Sequence, residues 1–182
     1  KGATQATREG RDAYGGRSKA GNSTRENEIA LASGTYANVY GGWTSGVGTT
    51  ALDKGASYEN KVKISGTATV TGTVYGGYTD AAGGKARGNT VTIESAVHDV
   101  VGGEGAGEAS GNIVNIRANA TAVTGGRSMG AASNNRVTLG NITATSVVGG
   151  DAAATAEGNT VSLDGTTVTN DVTGGRGAAA NG

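Results

Sequence analysis

Two acidic side chains in this sequence could catalyse hydrolysis if they formed a pair. Glu104 and Asp151 each follow a Gly-Gly pair, and Arg127 follows the pair between them. If the repeats are strands stacked about 4.8 Å apart, the two carboxyl groups are about 9.6 Å apart. That distance is at or beyond the upper limit for an inverting glycosidase, and the guanidinium between them would keep both ionised. We therefore expect no enzyme.

Metal ligation is the second chemistry to consider. The sequence has one histidine, His98, and no cysteine, so the usual nitrogen and sulfur ligands cannot form a set. Calcium-binding rolls repeat the pattern Gly-Gly-x-Gly-x-Asp. The nearest stretch here is Gly102-Gly-Glu-Gly-Ala-Gly, which lacks the aspartate. We expect no metal and no cofactor.

Aromatic residues are few and unevenly placed. All seven lie between residues 14 and 78: Tyr14, Tyr36, Tyr40, Trp43, Tyr58, Tyr75 and Tyr78. The candidate ligand-binding residues, here called the aromatic strip, are Tyr40, Trp43, Tyr75 and Tyr78. On neighbouring strands their rings would come into stacking range, with Arg17 one repeat earlier in cation–π range. Such a strip suits a sugar face or a partner protein; the alternative interpretation is a ladder that only shields the sheet.

A repeat of about 24 residues must position these side chains. Gly-Gly pairs recur at intervals of 26, 35, 26, 23, 24 and 25 residues, beginning at Gly15, Gly41, Gly76, Gly102, Gly125, Gly149 and Gly174. An asparagine keeps the same period, at Asn27, Asn60, Asn89, Asn112, Asn135 and Asn159. Glycine permits a positive φ or the close approach of another part of the backbone. Stacked asparagine amides can bond from repeat to repeat, so we expect a structural ladder.

Each repeat contains a pattern typical of strands. The asparagine precedes alternating aliphatic residues, as in Asn89-Thr-Val-Thr-Ile93, which predicts a strand with one buried face. A second short strand is expected to end at the valine two residues before each Gly-Gly pair. A small residue three positions before each asparagine, such as Ala109, predicts a third, tight side.

These patterns predict an all-β fold, a parallel β-solenoid in which each coil is buried by its neighbours. Residues 1–182 are expected to form a single segment with coils at about 1–26, 27–59, 60–88, 89–111, 112–134, 135–158 and 159–182. The largest insertion, between Trp43 and Glu59, is expected to form a loop on one face. Neither end shows a polar cap, so we expect a fragment of a longer rod or a unit that stacks end to end.

Composition narrows the classes of partner. The chain has 15 basic and 15 acidic residues, scattered along its length, so we expect no nucleic-acid partner. No apolar run approaches the length of a membrane-spanning helix, and we expect a segment that does not itself span a membrane. Glycine is abundant, with 35 residues, but it has no three-residue period and proline is absent, which excludes collagen.

The repeat resembles those of a known class of secreted proteins. Residues 74–93, with Val74-Tyr-Gly-Gly77 and Gly88-Asn-Thr-Val-Thr-Ile93, are similar to repeats in the passenger regions of autotransporter-type outer-membrane adhesins of Gram-negative bacteria. The resemblance covers the whole chain and is weakest near residues 1–26. It implies a right-handed β-helix, a location at the cell surface or outside the cell, and a role in adhesion.

Three functions follow from the sequence. The first is a non-catalytic adhesin or passenger segment that displays a binding or self-association face to a host or bacterial surface protein or glycan. The second is a self-assembling structural fibre module. The third is a β-helix enzyme that acts on polysaccharide, which would need an acidic cluster in one groove.

Overall fold

A computed structural model describes residues 10–19, 22–46 and 55–178. Within these ranges the chain forms strands and turns and no helix. Each strand pairs in parallel with the equivalent strand of the next repeat, as Val100 pairs with Val123 and Val123 with Val147. The prediction of an all-β parallel solenoid is confirmed.

Twenty strands occur in the described ranges. They are β1 (Arg11–Ser18), β2 (Thr24–Arg25), β3 (Glu28–Leu31), β4 (Thr35–Thr44), β5 (Ser57–Tyr58), β6 (Lys61–Ile64), β7 (Thr69–Thr79), β8 (Lys85–Arg87), β9 (Thr90–Ile93), β10 (Val97–Gly105), β11 (Glu108–Ser110), β12 (Ile113–Ile116), β13 (Ala120–Ser128), β14 (Ala131–Ser133), β15 (Arg136–Gly140), β16 (Thr143–Ala152), β17 (Thr155–Glu157), β18 (Thr160–Asp164), β19 (Thr167–Val168) and β20 (Val172–Arg176).

The strands form three parallel sheets, and the chain visits each sheet once per coil. Sheet A contains the long strands β1, β4, β7, β10, β13 and β16, and in the last coil β19 and β20. Sheet B contains the short strands β2, β5, β8, β11, β14 and β17, and sheet C contains β3, β6, β9, β12, β15 and β18. Most of the predicted loop between Trp43 and Glu59 lies outside the described residues.

Aliphatic ladders from sheets A and C fill the interior. On sheet C the predicted inward pairs align in register: Val62/Ile64, Val91/Ile93, Val114/Ile116, Val137/Leu139 and Val161/Leu163. All but the last pair are fully buried, and Leu163 is 39% exposed because no described coil covers it. Each buried aliphatic side chain contributes roughly 1.5–3 kcal/mol, so the coils stabilise one another.

Sheet B forms the predicted tight side. Its inward residues are small and stack coil upon coil, namely Thr24, Ser57, Ala86, Ala109, Ala132 and Ala156. Ala86, Ala109 and Ala132 are completely buried. The side is tight because other residues pack against it from the interior: a Cβ on Gly42 would lie 2.5 Å from Thr24 Oγ1, and Asn112 Nδ2 donates to the Ala86 carbonyl oxygen at 3.1 Å.

The Gly-Gly pairs differ from expectation. The predicted short strand does not end at the valine before the pair but runs through both glycines, as in β4 and β7. None of these glycines has a positive φ, so they make no turn. They are required by close approach: a Cβ on Gly102 would lie 2.4 Å from the Gly125 carbonyl oxygen, and one on Gly103 would lie 2.5 Å from Asn112 Nδ2.

The six asparagines form one continuous amide ladder. The Nδ2 group of each donates to Oδ1 of the asparagine in the next coil, at 2.8–3.0 Å from Asn27 through to Asn159. The backbone N–H donates to the same oxygen at 3.0–3.1 Å. Most also donate to a sheet B carbonyl of the preceding coil, as Asn112 does to Ala86 at 3.1 Å. The interior asparagines are completely buried, and their side-chain N–H and oxygen groups are all hydrogen-bonded.

The turn from sheet B to sheet C uses one left-handed residue per coil. It is always the residue before the ladder asparagine: Glu26, Glu59, Gly88, Gly111, Asn134 and Gly158, with φ between 53° and 63°. Two of these positions hold glutamate, which adopts this region at a cost, and Asn134 is a residue type that tolerates it better. The turn aims the following asparagine into the interior.

Candidate binding surface

A stack of tyrosine rings runs along the outside of sheet A. Tyr14, Tyr40 and Tyr75 occupy one position on β1, β4 and β7, immediately after the inward Ala13, Val39 and Val74. The ring centroids of Tyr14 and Tyr40, and of Tyr40 and Tyr75, are 5.0 Å apart, with interplanar angles of 8° and 4°. The ring of Tyr40 is therefore covered on both faces by its neighbours.

Trp43 and Tyr78 lie beside this stack, across the Gly-Gly pairs. They pair with each other in register on β4 and β7. Their rings stand nearly perpendicular to the stacked ones: Trp43 makes an edge contact with Tyr14 at 6.2 Å, and Tyr78 makes edge contacts with Tyr40 at 5.8 Å and Tyr75 at 5.3 Å. The four residues of the aromatic strip therefore belong to one cluster, which Trp43 joins through its contact with Tyr14.

Arg17 and Tyr14 extend the aromatic strip by one coil. The Arg17 guanidinium carbon lies 4.6 Å from the centre of the Trp43 ring and 5.0 Å from that of Tyr14. Arg17 was expected in this place, whereas Tyr14 was not among the predicted binding residues. Its position before Gly15-Gly16 matches those of Tyr40 and Tyr75, so the repeat register alone would have found it.

The hydroxyl groups of the cluster stay protonated. Burial raises the pKa of Tyr40 far above its ordinary value, and the Asp12 carboxylate raises it further. Burial also raises the pKa of Tyr75 and of Tyr78, and Glu104 adds to both. Tyr14 donates to Asp12 Oδ2 at 3.1 Å. The cluster therefore presents neutral phenols that can donate hydrogen bonds.

Two tyrosines of the aromatic-rich region stand apart from the cluster. Tyr36 is part of the core, 6% exposed, and its hydroxyl donates to the Ser33 carbonyl oxygen at 2.9 Å. Tyr58 lies on sheet B, where the Arg25 guanidinium stands 4.4 Å from its ring centre. The uneven distribution of aromatics in the sequence therefore overstates the size of the surface.

Charged residues continue the column of Trp43 and Tyr78 along the rod. Glu104, Arg127 and Asp151 follow in register, one per coil. Arg127 Nη1 lies 3.2 Å from Glu104 Oε2, between the two carboxylates as the sequence indicated. A stronger pairing that the sequence did not reveal lies on sheet B, where hydrogen bonds from Arg87 chiefly lower the pKa of Glu108 to about 2.

Neither a metal-binding cluster nor a membrane-spanning helix occurs among the residues that the structure describes. The described part of the chain holds no group of three histidine, cysteine, aspartate or glutamate side chains placed to bind a metal ion. Nor does it hold a helix with the length and apolar character needed to cross a membrane.

Comparison of the chain with protein families, with curated proteins and with solved structures found no match.

Proposed function

We propose that this chain is a segment of a secreted, surface-displayed bacterial adhesin of the autotransporter type, in which the solenoid acts as a non-catalytic rod. The observation that carries the proposal is the aromatic cluster, which spans three coils on the outside of sheet A. Large amphipathic rings on a rigid scaffold provide contact area at low cost in conformational entropy. They are also enriched among the residues that dominate binding energy.

The ring contacts indicate different roles for the residues of the aromatic strip. Tyr40 is enclosed between two parallel rings, so it supports the surface more than it contacts a ligand. Trp43 and Tyr78 lie outside the stack, with their rings nearly perpendicular to the stacked ones. They are the residues that a partner would touch.

The test compares two matched variants in an adhesion assay. Changing both Trp43 and Tyr78 to Ser should lower attachment to host cells or to bacteria by about tenfold or more, because each is a central aromatic contact. The control, Tyr58→Ser, removes an aromatic ring from sheet B and should leave attachment unchanged. Melting temperatures are measured for both.

The possible outcomes separate the functions. Lost attachment with an unchanged melting temperature supports the adhesin. Unchanged attachment with unchanged stability contradicts it. If both variants lose stability to a similar extent, the rings are scaffolding. Loss of self-association instead of cell attachment, seen by sedimentation, would favour the fibre module.

A further inference from the structure

A surface pocket adjoins the aromatic strip on the side of the later coils. It has a volume of about 190 Å³, and its lining includes Tyr78, Asp80, Glu104, Arg127 and Met129. Pockets that enclose a drug-sized ligand usually have about 300–1,000 Å³. This pocket is smaller and holds a single ring or one short side chain.

The polar groups of the pocket are only partly used within the protein. Glu104 contacts Arg127 through Oε2 alone, so its Oε1 and several Arg127 N–H groups have no partner among the described residues. The exposed Asp80 carboxylate has no partner there either. Glu104 pairs in register with Tyr78 on the adjacent strand, and Asp80 follows Tyr78 by two residues, so both carboxylates line the pocket together with Tyr78. Free acceptors and free donors thus surround one aromatic wall.

This combination discriminates between ligands. A basic side chain would find the two carboxylates but also the Arg127 guanidinium, which repels it. An anion would meet two carboxylates of its own sign. A neutral ring with several hydroxyl groups uses acceptors and donors together, and its apolar edge packs on an aromatic ring and a thioether.

We propose that this pocket binds one neutral sugar ring of a surface glycan, with Tyr78 as the stacking wall and with Asp80, Glu104 and Arg127 bonding its hydroxyls. The inference rests on the proposed adhesin function and specifies its ligand. Met129, which is 75% exposed, is placed to cover the apolar edge of the ring. The sugar ring would therefore lie in the pocket at the Tyr78 end of the aromatic strip, and not over the stacked rings of Tyr14, Tyr40 and Tyr75.

The test uses the full chain and immobilised oligosaccharides that end in galactose, glucose, mannose or N-acetylglucosamine. At least one should bind the unaltered protein. Asp80→Asn and Glu104→Gln should each weaken that binding by about tenfold, because each changes a charged acceptor to a neutral one. Tyr78→Phe should retain most of the binding, and Tyr78→Ser should abolish it. The control, Asp151→Asn, makes the same charge change one coil beyond Arg127 and should have no effect.

Two results would overturn the inference. One is the absence of binding to any of these sugars at millimolar concentration; the other is equal binding by Asp80→Asn, Glu104→Gln and Asp151→Asn. If the sugars do not bind but the Trp43 and Tyr78 double variant still loses cell attachment, the adhesin function stands and its partner is a protein. Circular dichroism of every variant shows whether a loss is due to unfolding.

Discussion

Gly103 and Asn112 face each other across the interior of the solenoid. A Cβ on Gly103 would lie 2.5 Å from the amide nitrogen of Asn112 and 2.6 Å from its oxygen, closer than real atoms approach. The same contact joins Gly77 to Asn89 and Gly126 to Asn135. The Gly-Gly pairs and the asparagines, which mark the repeat in the sequence, therefore contact each other in the interior.

A single added methyl group tests this contact. Gly103→Ala should lower the free energy of unfolding by roughly 1–3 kcal/mol, the usual cost of overpacking a filled interior. The matched change Gly140→Ala places its Cβ in open space on a backbone without positive φ, so stability should stay the same or rise slightly. Chemical denaturation of both variants measures the difference, and equal stability of the two would show that the interior accommodates the methyl group.

The sequence could predict the amide ladder at this scale, since Asn112 and its equivalents recur in a fixed place before alternating aliphatic residues. It could not predict how Gly103 is used. Glycine is compatible with both a turn and a close approach, and only the position of Asn112 across the interior decides between them. The rings of Tyr40 and Tyr75 were expected side by side, but their mutual coverage depends on torsions that the repeat does not specify.

Among the elements, the turns from sheet B to sheet C repeat one backbone conformation with different residues. Gly88, Gly111 and Gly158 adopt the left-handed region without strain, whereas Glu59 adopts it with φ 55°. A side chain in this region costs roughly 1–2 kcal/mol. The turn before β6 is therefore less favourable than its equivalents before β9 and β12.

A substitution at this turn should stabilise the protein. Glu59→Gly removes the strain, and after the greater entropy of glycine in the unfolded chain is allowed for, a gain of about 0.5–1 kcal/mol is expected. The control is Glu28→Gly, at an exposed strand position of β3, which should be destabilising. Thermal unfolding compares them. A lower melting temperature for Glu59→Gly would mean that the Glu59 side chain makes a contact worth more than the strain.

The strands of sheet C could be predicted from the sequence, because inward-facing aliphatic residues alternate strictly in β9 and β12. The extent of the strands in sheet A was less predictable. The strands β4 and β7 continue through Gly-Gly because pairing with the coils on both sides outweighs the weak strand propensity of glycine. Propensity describes the residue alone, and here the tertiary partners decide.

For the whole molecule, burial comes from stacking. Ile116 is 1% exposed and lies in register between Ile93 and Leu139 of the adjacent coils. A coil by itself has no interior. The periods of glycine, asparagine and valine were sufficient to predict this architecture, because only a stack of equivalent coils buries all three at once.

A charge in the interior should therefore affect several coils. Ile116→Asp is expected to cost more than the roughly 2–5 kcal/mol of removing a large aliphatic side chain, because it also buries an unpaired carboxylate. Hydrogen exchange should show lost protection in β9, β12 and β15 together. Asn115→Asp, on the outer side of the same strand, is the control and should keep protection. Loss confined to β12 would contradict the cooperative stack.

The amide ladder also has a direction. In each of the five bonds between ladder asparagines, Nδ2 of one residue donates to Oδ1 of the asparagine in the following coil. Along the described ladder, the donors therefore point to one end of the stack and the accepting oxygens to the other. Two like ends would oppose donor to donor or oxygen to oxygen, so a two-fold contact along the axis is disfavoured. If copies do associate along the axis, we expect a heterologous contact, which would build a filament with a defined direction.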